Sequence, residues 1–202
     1  MKLKKDPAAF LICLSVVCLS LSTTIFAQDP GATQKGLEAT LYILIAGENP
    51  SNAKIPAKLD PVSKQVAKDH DARNLQLAAT FSGRTSHGGS IEAKGMMQSI
   101  SKGASAANVI NWGIQSLRTD GESPIKPEAS ISAFRLNMLV PVSSPVLNEQ
   151  TGKDQSTWST VNLQLNISQL TLAMATPTMI GSVALSEPGR VMFVVLEVRE
   201  SF

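Results

Sequence analysis

The chain has 202 residues, 43% hydrophobic and 17% charged, with 13 Gly and 11 Pro and a formal net charge of +2. That supports one domain with a real core. It excludes intrinsic disorder, which needs low hydrophobicity with high net charge, and the collagen-like and disulfide-scaffold classes, which need far more Gly or Cys.

Residues 1–27 read as a secretory signal peptide. Lys2, Lys4 and Lys5 make a basic start, residues 8–21 are an apolar run, and a short polar-to-small stretch ends in Ala27. Cleavage after Ala27 leaves Gln28 as the new terminus. Retention as a membrane anchor is the alternative, but the run falls short of the ~18–20 residues that span a bilayer. Lipid attachment at Cys18 would leave Leu19 and Leu21 behind it, and small residues do not precede it. The leader takes three of the 18 Lys+Arg and one of the 16 Asp+Glu, so 15 of each remain and the mature chain is neutral. No basic excess is left for a nucleic-acid footprint or an anionic membrane. Both cysteines, Cys13 and Cys18, leave with the leader, so the mature chain has no disulfide, thiolate nucleophile or Cys-ligated zinc.

Residues 28–36 are a flexible lead-in, and 37–202 are expected to form a single β-rich globular domain. Alternation through Leu37, Ala39, Leu41, Ile43 and Ile45 predicts a strand. A short helix follows, with Asp60 as N-cap, Pro61 at the first helical position, and Val62 and Val66 on one face. Leu75, Leu77, Ala79 and Phe81 alternate as a half-buried strand, and residues 91–100 are its expected hairpin partner after a turn at 83–89. Ala106, Val109, Ile110, Gly113, Ile114 and Leu117 follow helical spacing and predict a second helix.

The final third reads as β. Phe134, Leu136, Met138 and Val140 alternate until Pro141 and Pro145, which are expected to end the strand. Residues 148–156 form a polar loop. Val161, Leu163, Leu165 and Ile167 alternate next, and after Ser168 the phase flips to Leu170 and Leu172, predicting a bulge or a bend between two strands. Residues 179–185 resume, Glu187-Pro188-Gly189 turns, and the nearly all-apolar 191–198 predicts a central strand buried on both faces. The expected fold is α+β, mainly antiparallel sheet with about two short helices.

Chemistry is thinly supplied. His70, between Asp69 and Asp71 at a helix end, makes a poor chelate because adjacent helical residues diverge; a cation there suits the helix dipole. His87 lies in a Gly-rich turn with Ser82 and Ser90 near in sequence, the raw material for a Ser–His hydrolase. No G-x-S-x-G elbow, P-loop, H-E-x-x-H or EF-hand loop occurs. Trp112 and Trp158 are read as packing residues rather than sugar-stacking platforms. Asn166-Ile167-Ser168 fits the glycosylation sequon inside a predicted strand. Phe202 ends the chain as outer-membrane barrels often end, but Glu200 breaks the alternation before it. No catalytic, cofactor-binding or metal-ligating residue is assigned.

The order of segments resembles a known pattern. LEATLYILIAG, a Leu-Asp-Pro helix and NLQLAATFSG precede VNLQLNIS, TLAMATPTMIGSVAL and VMFVVLEV. This resembles β-rich domains of uncharacterised exported bacterial proteins and is similar to the end of secretin-type domains. Its most specific part is residues 176–198, with Gly181-Ser182 at the apolar-Gly step. The resemblance implies envelope placement and protein contacts, and carries no catalytic residues. The expectation is a periplasmic or secreted, non-catalytic interaction or structural protein. It needs no cofactor and binds a protein partner, through a sheet edge, rather than nucleic acid. The alternatives are a small secreted hydrolase using His87 and an outer-membrane β-barrel.

Overall fold

A computed structural model describes residues 36–47, 55–70, 72, 74–101, 104, 106–120, 127–148, 153–187 and 189–201. The expected export signal, nearly all of the lead-in and Phe202 lie outside the described residues. In chain order the elements are β1 (Gly36–Ala46), a 3-10 turn (Ala57–Leu59), α1 (Asp60–Asp69), β2 (Gln76–Thr85), β3 (Ile91–Met97), β4 (Asn108–Gln115), β5 (Arg118–Asp120), β6 (Glu128–Asn148), β7 (Lys153–Ala173), β8 (Thr178–Ala184) and β9 (Val191–Ser201). Every strand pairing is antiparallel. The described chain thus has one α-helix where two were expected.

Two sheets stack face to face. The first has the order β2-β1-β9-β8. In the second, β3 pairs β4, β4 and then β5 pair the same side of β6, and β7 pairs the other side. Leu37, Leu41 and Ile43 of β1 and Val194 and Leu196 of β9 meet Ile110, Trp112, Phe134 and Leu136 of the second sheet in the main core. The opposite face of the first sheet, with Tyr42, Leu44, Phe193 and Val195, packs on Leu59, Val62 and Val66 of the turn and α1. β1 and β9 therefore have neighbours on both edges and layers on both faces. That explains the continuous apolar run of β9, as a strand buried on both faces needs no polar alternation.

α1 forms where its start signals predict. Asp60 opens the helix as its first residue rather than as the cap; Leu59 holds the cap position without a side-chain hydrogen bond. Two glycines let side chains of one sheet approach the other. Phe81 of β2 lies over Gly95 of β3, where an added Cβ would overlap its ring, and Leu165 of β7 lies over Gly181 of β8, 2.7 Å from where a Cβ would stand.

The structure corrects several expectations. Residues 108–115 are a strand: Ile110, Trp112 and Ile114 are buried, while Val109, Asn111 and Gln115 are exposed. Ile110 and Ile114 stand four apart, which satisfies both periods; pairing with β3 and β6 decides for the strand, which the β-branched and aromatic side chains suit. Residues 91–97 do not pair with β2; β2 and β3 lie in different sheets and β3 pairs β4.

β6 passes through Pro141 and Pro145 to Asn148, paired with β7 throughout. The two prolines share parity, so both lack a donor on the same edge. Beyond the Val109–Leu139 pair β4 no longer occupies that edge, which makes it a site where proline is tolerated. Of the expected polar loop at 148–156, Asn148 and residues 153–156 are strand, and 149–152 lie outside the described residues. The phase flip near Ser168 is real but lies inside one strand. Gln169 adopts φ 57°, the register against β6 is unchanged on either side, and the inward face passes from Leu165 and Ile167 to Leu170 and Leu172.

Candidate functional site

The residues nominated by sequence do not converge. His70 caps the C-terminal end of α1; its backbone N–H donates to Val66 O at 3.0 Å and its ring stands 5.2 Å from the ring of Phe193, centroid to centroid. Asp69 is exposed, and Asp71 lies outside the described residues. His87 sits in an exposed turn, where its Nδ1 accepts from the Thr119 backbone N–H at 3.4 Å and lies 3.4 Å from the Thr119 hydroxyl. No described serine or carboxylate bonds to it. Ser82 instead contacts Thr40, Oγ to Oγ1, at 3.2 Å on the helix-bearing sheet. Among the described residues no group of three or more His, Cys, Asp or Glu could hold a metal ion. No described helix is long and apolar enough to cross a membrane, which leaves membrane crossing by strands unaddressed.

The two tryptophans part company. Trp112 packs in the core, with its Nε1 lacking a partner among the described atoms. Trp158, also expected to pack, is 45% exposed on β7. Its neighbour across the ladder is Ser143 on β6, beyond the end of β4. There, among the described residues, the β6–β7 pair runs on as a two-stranded ribbon with no third strand beside β6.

A polar cluster unforeseen in the sequence lies on the helix-bearing face of the first sheet. Register places Arg84, Glu38 and Arg199 in one row across β2, β1 and β9. Arg84 Nε donates to Glu38 Oε2 and Arg199 Nη2 to Glu38 Oε1, each at 3.1 Å. Burial works to raise the Glu38 pKa, but the two guanidiniums outweigh it and hold the carboxyl below its ordinary range. Nearby, the Tyr42 hydroxyl donates to Glu197 Oε2 at 2.6 Å, and Lys58 Nζ donates to the same oxygen at 3.3 Å from 4.8 Å above the Tyr42 ring. Burial and then the Glu197 carboxylate push the Tyr42 phenol up. A phenol so placed is a proton donor, not a base. The cluster ties the turn before α1 to the centre of the sheet. Its signal in the sequence is a lone acid inside an apolar strand: Glu38 between Leu37 and Ala39, Glu197 between Leu196 and Val198.

The second sheet carries the more open features. Met96, Val109 and Leu139 align in one cross-strand row, and all three are exposed. β7 forms the sheet's outer boundary: it pairs with β6 over its whole length, and no described strand pairs with its far edge. On its outward face Trp158, Thr160, Asn162, Gln164, Asn166 and Ser168 are exposed, so the Asn166 sequon lies at the surface. The chain holds no charged residue and no histidine from Gln155 through Ser186.

The other sheet boundaries differ. β2 carries Arg84. β3 spans seven residues with Glu92 and Lys94 exposed. β8 spans seven residues and its register against β9 shifts between Met179 and Gly181. Short length, charge and irregularity are the means by which exposed edges avoid pairing. β7 from Thr157 to Ser168 has none of them.

No family model matches the chain, and no curated protein matches it. Among solved structures it is similar to the InvG secretin domain β-barrel from the Salmonella SPI-1 injectisome NC-base, at 11% identity and a TM-score of 0.24, over 98% of this chain and 69% of that one. That neighbour is a secretin domain, the family named above on sequence grounds, at a score too low for its fold or function to transfer.

Proposed function

We propose that this chain is a non-catalytic protein-binding module that takes a partner strand onto the far edge of β7. One observation carries the reading: of the sheet edges described, β7 holds an uncharged, regular stretch of twelve residues from Thr157 to Ser168, while β2, β3 and β8 carry charge, short length or irregular register. An edge strand offers a row of unpaired N–H and C=O groups, and strand addition uses them for affinity while alternate side chains supply specificity. The setting we infer is the periplasm or cell envelope, near secretion machinery, on the strength of the leader and of residues 176–198.

The test is position-resolved cross-linking in intact cells followed by fractionation. A photo-reactive side chain at Gln164 of β7 is expected to give protein adducts in the envelope or periplasmic fraction. The same group at exposed Lys64 on α1 is expected to give none. Charging the edge with Asn162→Lys is expected to abolish the adducts. Equal labelling at both positions would overturn the reading, as would a hydrolytic turnover lost in His87→Ala.

A further inference from the structure

The part of β7 without edge protection reads nearly the same in both directions. Residues 160–168 run Thr-Val-Asn-Leu-Gln-Leu-Asn-Ile-Ser, centred on Gln164. Leu163 mirrors Leu165 and Asn162 mirrors Asn166. Val161 mirrors Ile167, both β-branched, and Thr160 mirrors Ser168, both hydroxylated. The mirror ends at Gln169, where the backbone turns to φ 57° and leaves the extended conformation.

From this we infer that the occupant of the β7 edge is a second copy of the same chain, paired antiparallel about a two-fold axis through Gln164. The inference rests on the preceding reading of β7 as a docking edge and names its partner.

Two antiparallel copies of one strand bring residue i opposite j and j opposite i. With Gln164 at the centre, each Asn162 faces Asn166 of the second copy, and each Leu163 faces Leu165. The two-fold axis stands normal to the sheet, so outward faces stay outward and inward faces stay inward. Asn and Gln then meet Asn and Gln on the exposed side. Val161, Leu163, Leu165 and Ile167, which are half-buried or exposed at the margin of the core, meet their like on the inner side. The second sheets of the two copies join edge to edge. No charge opposes pairing, since residues 155–186 hold none. An edge meant for an unlike strand has no need of this symmetry; a homotypic one uses all of it.

Three arms test the proposal on protein purified after expression of the full chain. Sedimentation is expected to show a dimer. Gln164→Cys is expected to form a covalent dimer under mild oxidation, because residues opposite on a two-fold approach within disulfide range. Asn162→Cys alone, whose counterpart faces residue 166, is expected not to.

Asn162→Lys with Asn166→Lys sets like charges opposite twice and is expected to weaken the dimer about tenfold or more. Asn162→Lys with Asn166→Glu sets opposite charges together and is expected to keep it. Both positions are exposed in the single chain, so thermal unfolding of the variants controls for folding. If the double-lysine variant does not fold, the cysteine arm decides.

A monomer in all three arms, a larger ring, equal cross-linking at 164 and 162, or equal loss in both charge variants would overturn the two-fold pairing. The in-cell photo-adduct at Gln164 separates the two claims. A mass of two chains supports both. A different mass keeps β7 as a docking edge and removes the second copy. No adduct removes both.

Discussion

β1 has a partner strand on each edge and a packed layer on each face, whereas β7 has one partner strand and turns a polar face outward. Both are long antiparallel strands. In β1 every side chain from Leu37 to Ala46 is buried, and its polar residues are held by cross-strand partners. From Trp158 to Ser168 the outward positions of β7 are amides, hydroxyls and one tryptophan. The contrast separates two uses of one backbone. β1 and β9 hold the domain together, and β7 can tolerate change in its outward residues without endangering the fold.

The sharpest way to break this contrast is to truncate a side chain in each region. Phe193 of β9 is fully buried between the sheet and α1. Phe193→Ala is expected to cost about 3–5 kcal/mol, a large part of the 5–15 kcal/mol typical of a domain. An outward change on β7 such as Asn162→Ala is expected to stay within about 0.5 kcal/mol. Urea unfolding midpoints measure both, and equal shifts would dissolve the distinction between the two strands.

A smaller effect is expected where the two sheets approach each other. Gly95→Val sets a branched side chain against the ring of Phe81, and overpacking of this kind costs about 1–3 kcal/mol. Val is otherwise a good strand former, so an unchanged or raised midpoint would show that Phe81 can give way.

The polar cluster should show its contribution through pH. The folded pKa of Glu38 lies below the ordinary carboxylate value of 4.5, so through that range the unfolded chain binds more protons and stability rises with pH. The contribution is complete above about 4.5 and is lost as pH falls through the folded value. Glu38→Gln is expected to lower stability near neutrality by about 1–2 kcal/mol, discounted for the exposure of both arginines, and to flatten the acid limb. Tyr42→Phe removes a buried donor to Glu197 and is expected to cost about 1–2 kcal/mol. Unfolding followed across a pH series separates the two, since Tyr42 is protonated throughout the acid range.

How much of this was legible in the sequence depended on which physical constraint dominated. Period-two alternation marked β1, β2, β6 and β7, and a nearly unbroken apolar run marked β9, which is buried on both faces. Asp60, Pro61, Val62 and Val66 marked α1, because caps and i,i+4 spacing are local. The strand at 108–115 was misread because Ile110 and Ile114 fit both periods, and tertiary pairing with β6 settled it. Pro141 and Pro145 looked like strand ends because the sequence does not reveal which edge a donor would face. The Arg84–Glu38–Arg199 row was invisible for a related reason: its members lie 46 and 161 residues apart, and only register joins them. The uncharged palindrome of β7 was present in the sequence from the outset. It acquired meaning once β7 proved to be an edge, since the same residues in an interior strand would have met β-strands on both sides.

The smallest expected effect on stability sharpens the comparison most directly, because the two tryptophans report the two environments. Trp112 is buried between the sheets and Trp158 is 45% exposed. Trp158→Ser is expected to leave the unfolding midpoint within about 0.5 kcal/mol while removing the red-shifted, iodide-quenchable part of the fluorescence and leaving the protected part. If Trp158 proves as protected from iodide as Trp112, its face of the ribbon is covered in solution. The quencher would then detect an occupant of the ribbon face beside the β7 edge, and dilution would show whether that occupant is a dissociable second copy.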